Sequence, residues 1–194
     1  MCGILASIAY RGDSSFNEDL IPWISARGPD SLQTYTVQIS IPGNNSQTFL
    51  ELTFTSSVLH LRGQDVTVQP LVSESGDVLC WNGEIWQGLN IEDNENDGLK
   101  LLAALTSEKS VWKVMETVEG PWAMVYYSSS ERKLWYGRDC LGRRSLLRMS
   151  SAGGIVLSSV GVDMGQWEEV SVNGLWCLNL DEWTMEQKEV PRHV

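Results

Sequence analysis

The most constraining stretch comes almost first. Residues Gly3–Tyr10 read GILASIAY, an apolar run of strand length. Such a run reads as a buried strand, so the fold has to be built around a strand that starts almost at the N-terminus. Residues 16–26 then place apolar side chains at helical spacing, and Arg27-Gly28-Pro29 stops them. Two β-like runs, 34–41 and 48–55, flank Pro42-Gly43-Asn44-Asn45 and read as a hairpin. Short strands are expected at 57–61 and 78–81, helices at 97–105 and 110–118. Strands follow at 122–127, 133–138, 145–149, 154–159 and 174–180. Strands, two or three helices and then strands fit a layered α+β sandwich better than an alternating βαβ fold. One domain is expected over residues 2–184, with 185–194 as a polar tail or linker.

Charge and cysteine usage narrow the function classes. A formal net charge of −11 argues against nucleic-acid or anionic-membrane partners, which need a basic face. It leaves room for a small zwitterionic substrate, because one well-placed arginine binds a carboxylate. The four cysteines form no CxxC pair and there are two histidines, so no zinc site assembles from the usual spacings. No signal peptide is apparent, so the thiols are expected reduced and the protein cytoplasmic. No apolar run approaches the ~18 residues that span a bilayer.

Cys2 carries the sharpest chemical possibility. If Met1 is excised, one residue holds both a thiol and a free α-amine. Groups of those two kinds titrate in adjoining ranges, about 8.5 and about 7.7–8.0. The amine is then a general base for its own side chain, directly or through a water, and no catalytic histidine is needed. Taken alone, Cys2 reads as a small half-buried residue near a flexible end, since an isolated cysteine says little about reactivity.

Other segments change that balance. The ordered set Met1-Cys2-Gly3-Ile4, Arg27-Gly28-Pro29-Asp30, Leu59-His60-Leu61-Arg62, Gln69-Pro70 and Asn82-Gly83-Glu84-Ile85 resembles class II (N-terminal-nucleophile) glutamine amidotransferases. Glu119-Gly120-Pro121-Trp122, Gly137-Arg138-Asp139 and Gly142-Arg143-Arg144-Ser145 continue the series. The likeness runs from residue 2 to about residue 161. Within the family the chain is similar to the amidotransferase half of asparagine synthetases, and more narrowly to the asparagine synthetase domain-containing proteins. LHLRG, WNGEIW, END, GPWAMVYY and LWYGRDCLGRRSLL carry that narrower match.

The resemblance implies a four-layer α/β/β/α N-terminal-nucleophile hydrolase sandwich, with the nucleophile at the tip of the first strand. It implies Cys2 as nucleophile and Asn82 and Gly83 as oxyanion hole, through a side-chain NH2 and a backbone N–H. It implies Arg62 as the clamp on the α-carboxylate of glutamine, with Glu84 and Asp97 toward the α-ammonium. Outside that context Asn-Gly is the commonest hairpin turn, and Asp97 is an acid at a helix start. Arg27 and Asp30 read as structural, Arg27 bracing the loop under Cys2. Asp139, Arg143 and Arg144 fit either a buried charge network or a route toward a partner domain. Cys80, Cys140 and Cys177 read as small core residues. Trp86 and Gln87 depart from the family's usual tyrosine and asparagine, and Arg62-Gly63-Gln64-Asp65 from its usual continuation.

The expected function is release of ammonia from glutamine through a thioester on Cys2, with neither metal nor cofactor in that step. In the family the ammonia passes to a synthetase domain that uses ATP and magnesium. No SGGxDS-type loop is present, so the chain is expected to be a fragment, isoform or subunit working with an asparagine-synthetase-like domain or partner. A glutamine-binding or interaction domain with little turnover is the alternative, and an amidase acting on other acyl amides a weaker one.

Overall fold

The structure, a computed structural model, describes residues 1–10, 18–41, 49–60, 65–108, 110–151, 154–163 and 166–189. In chain order the first elements are β1 (Gly3–Tyr10), a 3-10 turn (Glu18–Leu20), α1 (Ile21–Arg27), β2 (Ser31–Ser40), β3 (Phe49–Val58), β4 (Leu71–Val72) and β5 (Val78–Gly83). Next come α2 (Asp97–Ser107), α3 (Val111–Thr117), β6 (Trp122–Ser128) and β7 (Lys133–Arg138). The rest are β8 (Leu147–Ser151), β9 (Gly154–Ser158), β10 (Glu168–Glu169), β11 (Leu175–Asn179) and β12 (Thr184–Lys188). They form two six-stranded antiparallel sheets, ordered β10-β8-β9-β1-β3-β2 and β12-β11-β7-β6-β5-β4.

Side-chain parity explains why β1 shows no polar alternation. Ile4, Ala6 and Ile8 enter the layer between the sheets, while Leu5 enters a second layer outside. Successive side chains of a strand point to opposite faces, and here both faces are covered. The inner layer meets Leu52 and Phe54 of β3 and Val78, Cys80, Val125, Tyr127, Leu134 and Tyr136 of the second sheet. Phe54 and Tyr127 face each other with ring centroids 6.3 Å apart.

Helices close both outer faces. Leu20 and Ile24 cover Leu5, Met149 and Val156 of the first sheet. α1 has only seven residues, too few to be stable alone. The full burial of Ile24 contributes roughly 1.5–3 kcal/mol toward holding it. Pro22 opens the helix, and at Gly28 a Cβ would collide with the backbone of Val58, so the chain passes close against β3. On the other side Leu101, Leu105, Val114 and Met115 pack on Leu79, Trp81, Met124 and Tyr126. The result is the α/β/β/α layering that the resemblance implies.

Several local expectations are corrected. The runs expected at 48–55 and 57–61 meet in one strand, β3, which continues through the fully buried Ser56 and Ser57 and ends at Val58, with Leu59 and His60 beyond it. Ser57 Oγ accepts from the Gly3 N–H at 3.0 Å and donates to the Ile24 carbonyl at 2.5 Å, so its polarity is used inside the core. Asn82 and Gly83 are the end of β5, opposite Ala123 and Trp122, and not a turn. The chain stays extended beyond them because the Glu84 N–H donates to the Pro121 carbonyl at 3.0 Å and the Trp86 N–H to Glu119 at 2.8 Å. Residues 185–188, expected in a tail, belong to the exposed edge strand β12 paired with β11. The turn expected at 42–45, the helix start at 16–17 and the last residues of the tail lie outside the described residues. None of the four cysteines is bridged; Cys80 and Cys177 are buried, whereas Cys140 is half-exposed on the turn after β7 and is not a core residue.

Candidate active site

β1 and β5 belong to different sheets, and the residues at their neighbouring ends line one open cleft of about 90 Å³. Cys2 precedes β1 and has the parity of Ile4, Ala6 and Ile8, the residues turned toward the other sheet. Asn82 has the parity of Val78 and Cys80, which are turned toward the first sheet. Cys2, Asn82 and Gly83 accordingly line the same cleft.

The start of β1 is anchored through its backbone. Gly3 N–H donates to Ser57 Oγ, Ile4 N–H donates to Ser159 Oγ at 3.0 Å, and Arg27 Nε donates to the Cys2 carbonyl at 3.4 Å. Arg27 thus braces residue 2, as expected. Burial pulls the Arg27 guanidinium below its ordinary value; Cys2 opposes that shift and the charge of Arg144 adds to it. The sulfur of Cys2 is part-buried, 4.0 Å from the Leu59 carbonyl oxygen.

Donors converge on the other side of the cleft. Asn82 is 2% exposed, and its Nδ2 has no hydrogen-bond partner among the described residues. A buried amide nitrogen without a partner is costly and rare. Gly83 is placed by strand alternation. β4 pairs only with Val78 and Leu79, so further along this edge of β5 the Gln69 side chain substitutes for a strand and accepts the Trp81 N–H at 2.8 Å. Residues two apart direct their N–H groups to the same side, so the Gly83 N–H points to the edge where β4 has ended, beside the cleft. There is no space for a side chain at residue 83: a Cβ would lie 2.7 Å from Trp81 Cζ2 and 2.8 Å from the Pro121 oxygen.

The remaining candidates separate. Asp97 is the first residue of α2, buried, and lines the cleft. Its Oδ2 accepts the Ile85 N–H at 3.1 Å and its Oδ1 the Gly98 N–H at 3.2 Å, while the helix cap itself is Asn96 Oδ1 with the Leu99 N–H. Glu84 also lines the cleft, and its carboxylate pairs with Arg144 at 3.1 Å. Arg62 lies outside the described residues. Of the two readings of Asp139, the structure shows the buried network: it is 1% exposed and accepts from the N–H groups of Trp122, Leu141 and Arg143 and from Arg143 Nε, at 2.9–3.1 Å. Arg143 extends that network to the Gly120 carbonyl and stacks over Trp86 at 5.0 Å. Arg144 departs from it and turns into the cleft. His60 and Gln69 are further lining residues whose motifs were visible but whose placement was not.

Residues 57–162, just over half of the chain, match the glutamine amidotransferase domain family. The chain belongs to the glutamine amidotransferase family. This amidotransferase domain is 38% identical to asparagine synthetase domain-containing protein 1 of Homo sapiens over 192 residues, which is 93% of this chain and 28% of the human protein. It is 35% identical to the Bos taurus protein of that name, over 98% of this chain and 30% of the other. The amidotransferase domain thus spans about 30% of the length of these relatives. Its fold superimposes with a TM-score of 0.67 on the B. subtilis glutamine phosphoribosylpyrophosphate amidotransferase, at 14% identity, covering all of this chain and 50% of that one. At that identity the likeness shows the fold alone, a sandwich of two sheets closed by helices. Among the described residues no helix is long and apolar enough to cross a membrane.

Proposed function

We propose that this domain hydrolyses the side-chain amide of glutamine through Cys2, after removal of Met1, and supplies the ammonia to an asparagine-synthetase-like domain or partner. The observation that supports this most is the buried, unpartnered amide nitrogen of Asn82 in the cleft that also holds Cys2. Such a donor is of use when charge develops on a nearby oxygen, and preorganised donors of this kind give some of the greatest rate gains in catalysis.

In this reading the α-amine of Cys2 takes the thiol proton, and the thiolate attacks the amide carbon of glutamine. The carbonyl oxygen becomes an oxyanion, received by Asn82 Nδ2 and the Gly83 N–H. The C–N bond breaks, the departing nitrogen takes the proton from the amine, and ammonia leaves. Water then hydrolyses the γ-glutamyl thioester to glutamate and restores the thiol. Arg62 would hold the α-carboxylate and Asp97 the α-ammonium, so the cleft would select a free amino acid over a peptide. The glutaminase step needs no cofactor; amidation of an acceptor would need ATP and magnesium on the partner. A cytoplasmic location fits four unbridged cysteines.

A second reading is a glutamine-binding domain with little turnover. The ion pair that engages Glu84 favours it, because that carboxylate is then shared between Arg144 and any ammonium. Glutamate release by protein bearing Cys2 at its N-terminus, against Cys2→Ala, separates the two. The glutaminase reading expects release that Cys2→Ala abolishes. Equal background rates, with glutamine still binding to both proteins by calorimetry, would establish the second reading instead.

A further inference from the structure

We propose that Arg144 is a positioning residue for the nucleophile: its guanidinium keeps the α-amine of a processed Cys2 in the uncharged form that accepts the thiol proton, and Glu84 fixes that guanidinium in place. The inference rests on the N-terminal-cysteine reading above.

The placement follows from the crossover between the sheets. β7 lies in one sheet and β8 in the other, and residues 139–146 connect them at the cleft end. Asp139 makes this connection rigid. Its carboxylate accepts from Leu141 and Arg143, and its carbonyl accepts the Gly142 N–H at 2.8 Å. Arg143 is consumed by that network, so the next side chain projects away from it. The Arg144 side chain is 19% exposed, with NH2 3.1 Å from Glu84 Oε1 and NH1 3.6 Å from the sulfur of Met1. That contact reaches the side chain of Met1, whose carbonyl carbon is bonded to the Cys2 nitrogen, and Arg144 and Cys2 line the same cleft. The Arg144 Nε is buried and has no partner among the described residues.

The electrostatics have a defined sign. A like charge nearby disfavours the protonated form of an amine. The charged and titratable groups lining or bracing this end of the sandwich are Arg27 from α1, Asp30 and His60 flanking β3, Glu84 after β5, Asp97 of α2 and Arg144 itself. Arg27 is fixed on the Cys2 carbonyl, and both Asp97 oxygens are engaged by backbone N–H groups. Glu84 opposes Arg144, but its side chain is 53% exposed and therefore the more strongly screened of the two. Arg144 is thus a cation of this cleft whose partner carboxylate offsets it only in part, and its field favours the uncharged amine that a general base requires. The same field acts after the proton has moved from sulfur to nitrogen. It disfavours the ammonium and so drives the proton onward to the leaving nitrogen of the substrate.

The experiment titrates the amine directly. Protein with Cys2 at its N-terminus is labelled with limiting acetic anhydride across pH, and the N-terminal peptide is quantified by mass spectrometry. Wild type, Arg144→Lys, Arg144→Met and Glu84→Gln are compared. Arg144→Met should raise the labelling midpoint by about one pH unit, and Arg144→Lys should leave it close to wild type. Glu84→Gln should lower it. The acid limb of kcat/KM for glutamate release should move with the midpoint in each variant. An Arg144→Met midpoint within about 0.2 units of wild type overturns the inference, as does a shift of the same size in Arg144→Lys. A wild type that labels as expected yet releases no glutamate defeats the glutaminase reading and leaves this one standing.

Discussion

Replacing Asn82 by alanine separates a catalytic donor from a structural one. A buried amide that held the fold together would be expected to bond to its neighbours, yet Nδ2 of Asn82 bonds to nothing among the described residues. Its deletion therefore removes no protein hydrogen bond made by that atom. The loss of side-chain volume is offset by the position on an open cleft, where water refills the space. The expected loss of unfolding free energy is about 1 kcal/mol. The effect on reaction should be far larger. Loss of one oxyanion donor costs about 10²–10³ in kcat, or about 2.7–4 kcal/mol of transition-state stabilisation. KM should change little, because the donor acts on charge that is absent from bound glutamine. The assay is glutamate release at saturating glutamine, paired with urea unfolding of the same preparations. A kcat within tenfold of wild type would refute the reasoning. So would a rate loss accompanied by a stability loss of about 3 kcal/mol or more, since Asn82 would then be acting through the fold.

Other expectations follow from the same geometry. Asp139→Ala strands the buried Trp122 N–H and the Arg143 guanidinium, and should cost about 3–5 kcal/mol; Asp139→Asn keeps part of the network and should cost about 1–3 kcal/mol, both read by chemical denaturation. Gly83→Ala places a methyl group against Trp81, Pro121 and Trp122, and should lower stability by about 1–3 kcal/mol while displacing the N–H beside the cleft, seen as a lowered urea midpoint with loss of glutamate release. Burial pushes the Cys80 thiol up to about 12 and the Cys177 thiol up to about 11, and raises Tyr126, Tyr127 and Tyr136. These acids keep protons in the folded state that the unfolded chain has lost, so stability should fall as pH rises past about 9, measurable by urea unfolding at stepped alkaline pH. In native protein, iodoacetamide should spare Cys80 and Cys177 and modify Cys2 and Cys140, with peptide mapping as the readout.

Much of this architecture is legible in the sequence where burial covers both faces of an element. GILASIAY shows no regular polar alternation, Ser7 apart, because one parity meets the second sheet and the other, at Leu5, meets the layer under α1. The site was legible through motif order: Cys2, Asn82, Gly83, Glu84 and Asp97 do converge on one cleft. What escaped has non-local causes. Asn-Gly favours a turn on its own, but pairing with β6 and the Pro121 carbonyl keeps it extended. Ser56-Ser57 looks like a break in a strand until Gly3 and Ile24 supply partners for Ser57. Of the adjacent Arg143 and Arg144, nothing local says which turns to the cleft; Asp139 decides it by capturing the first. β12 is exposed along its whole length and has Met185 as its one apolar side chain, so no hydrophobic alternation marks it.

The division of the site between two sheets makes the apolar filling a spacer. In the proposed reaction the sulfur rides on one layer and the oxyanion donors on the other. The gap between them is set by the bulk of side chains such as Phe54 and Tyr127, packed across the interior. A misplacement of about 1 Å can cost 10²-fold in rate, so trimming a ring deep in the sandwich would detune turnover through layer separation, in variants that remain folded and touch no substrate.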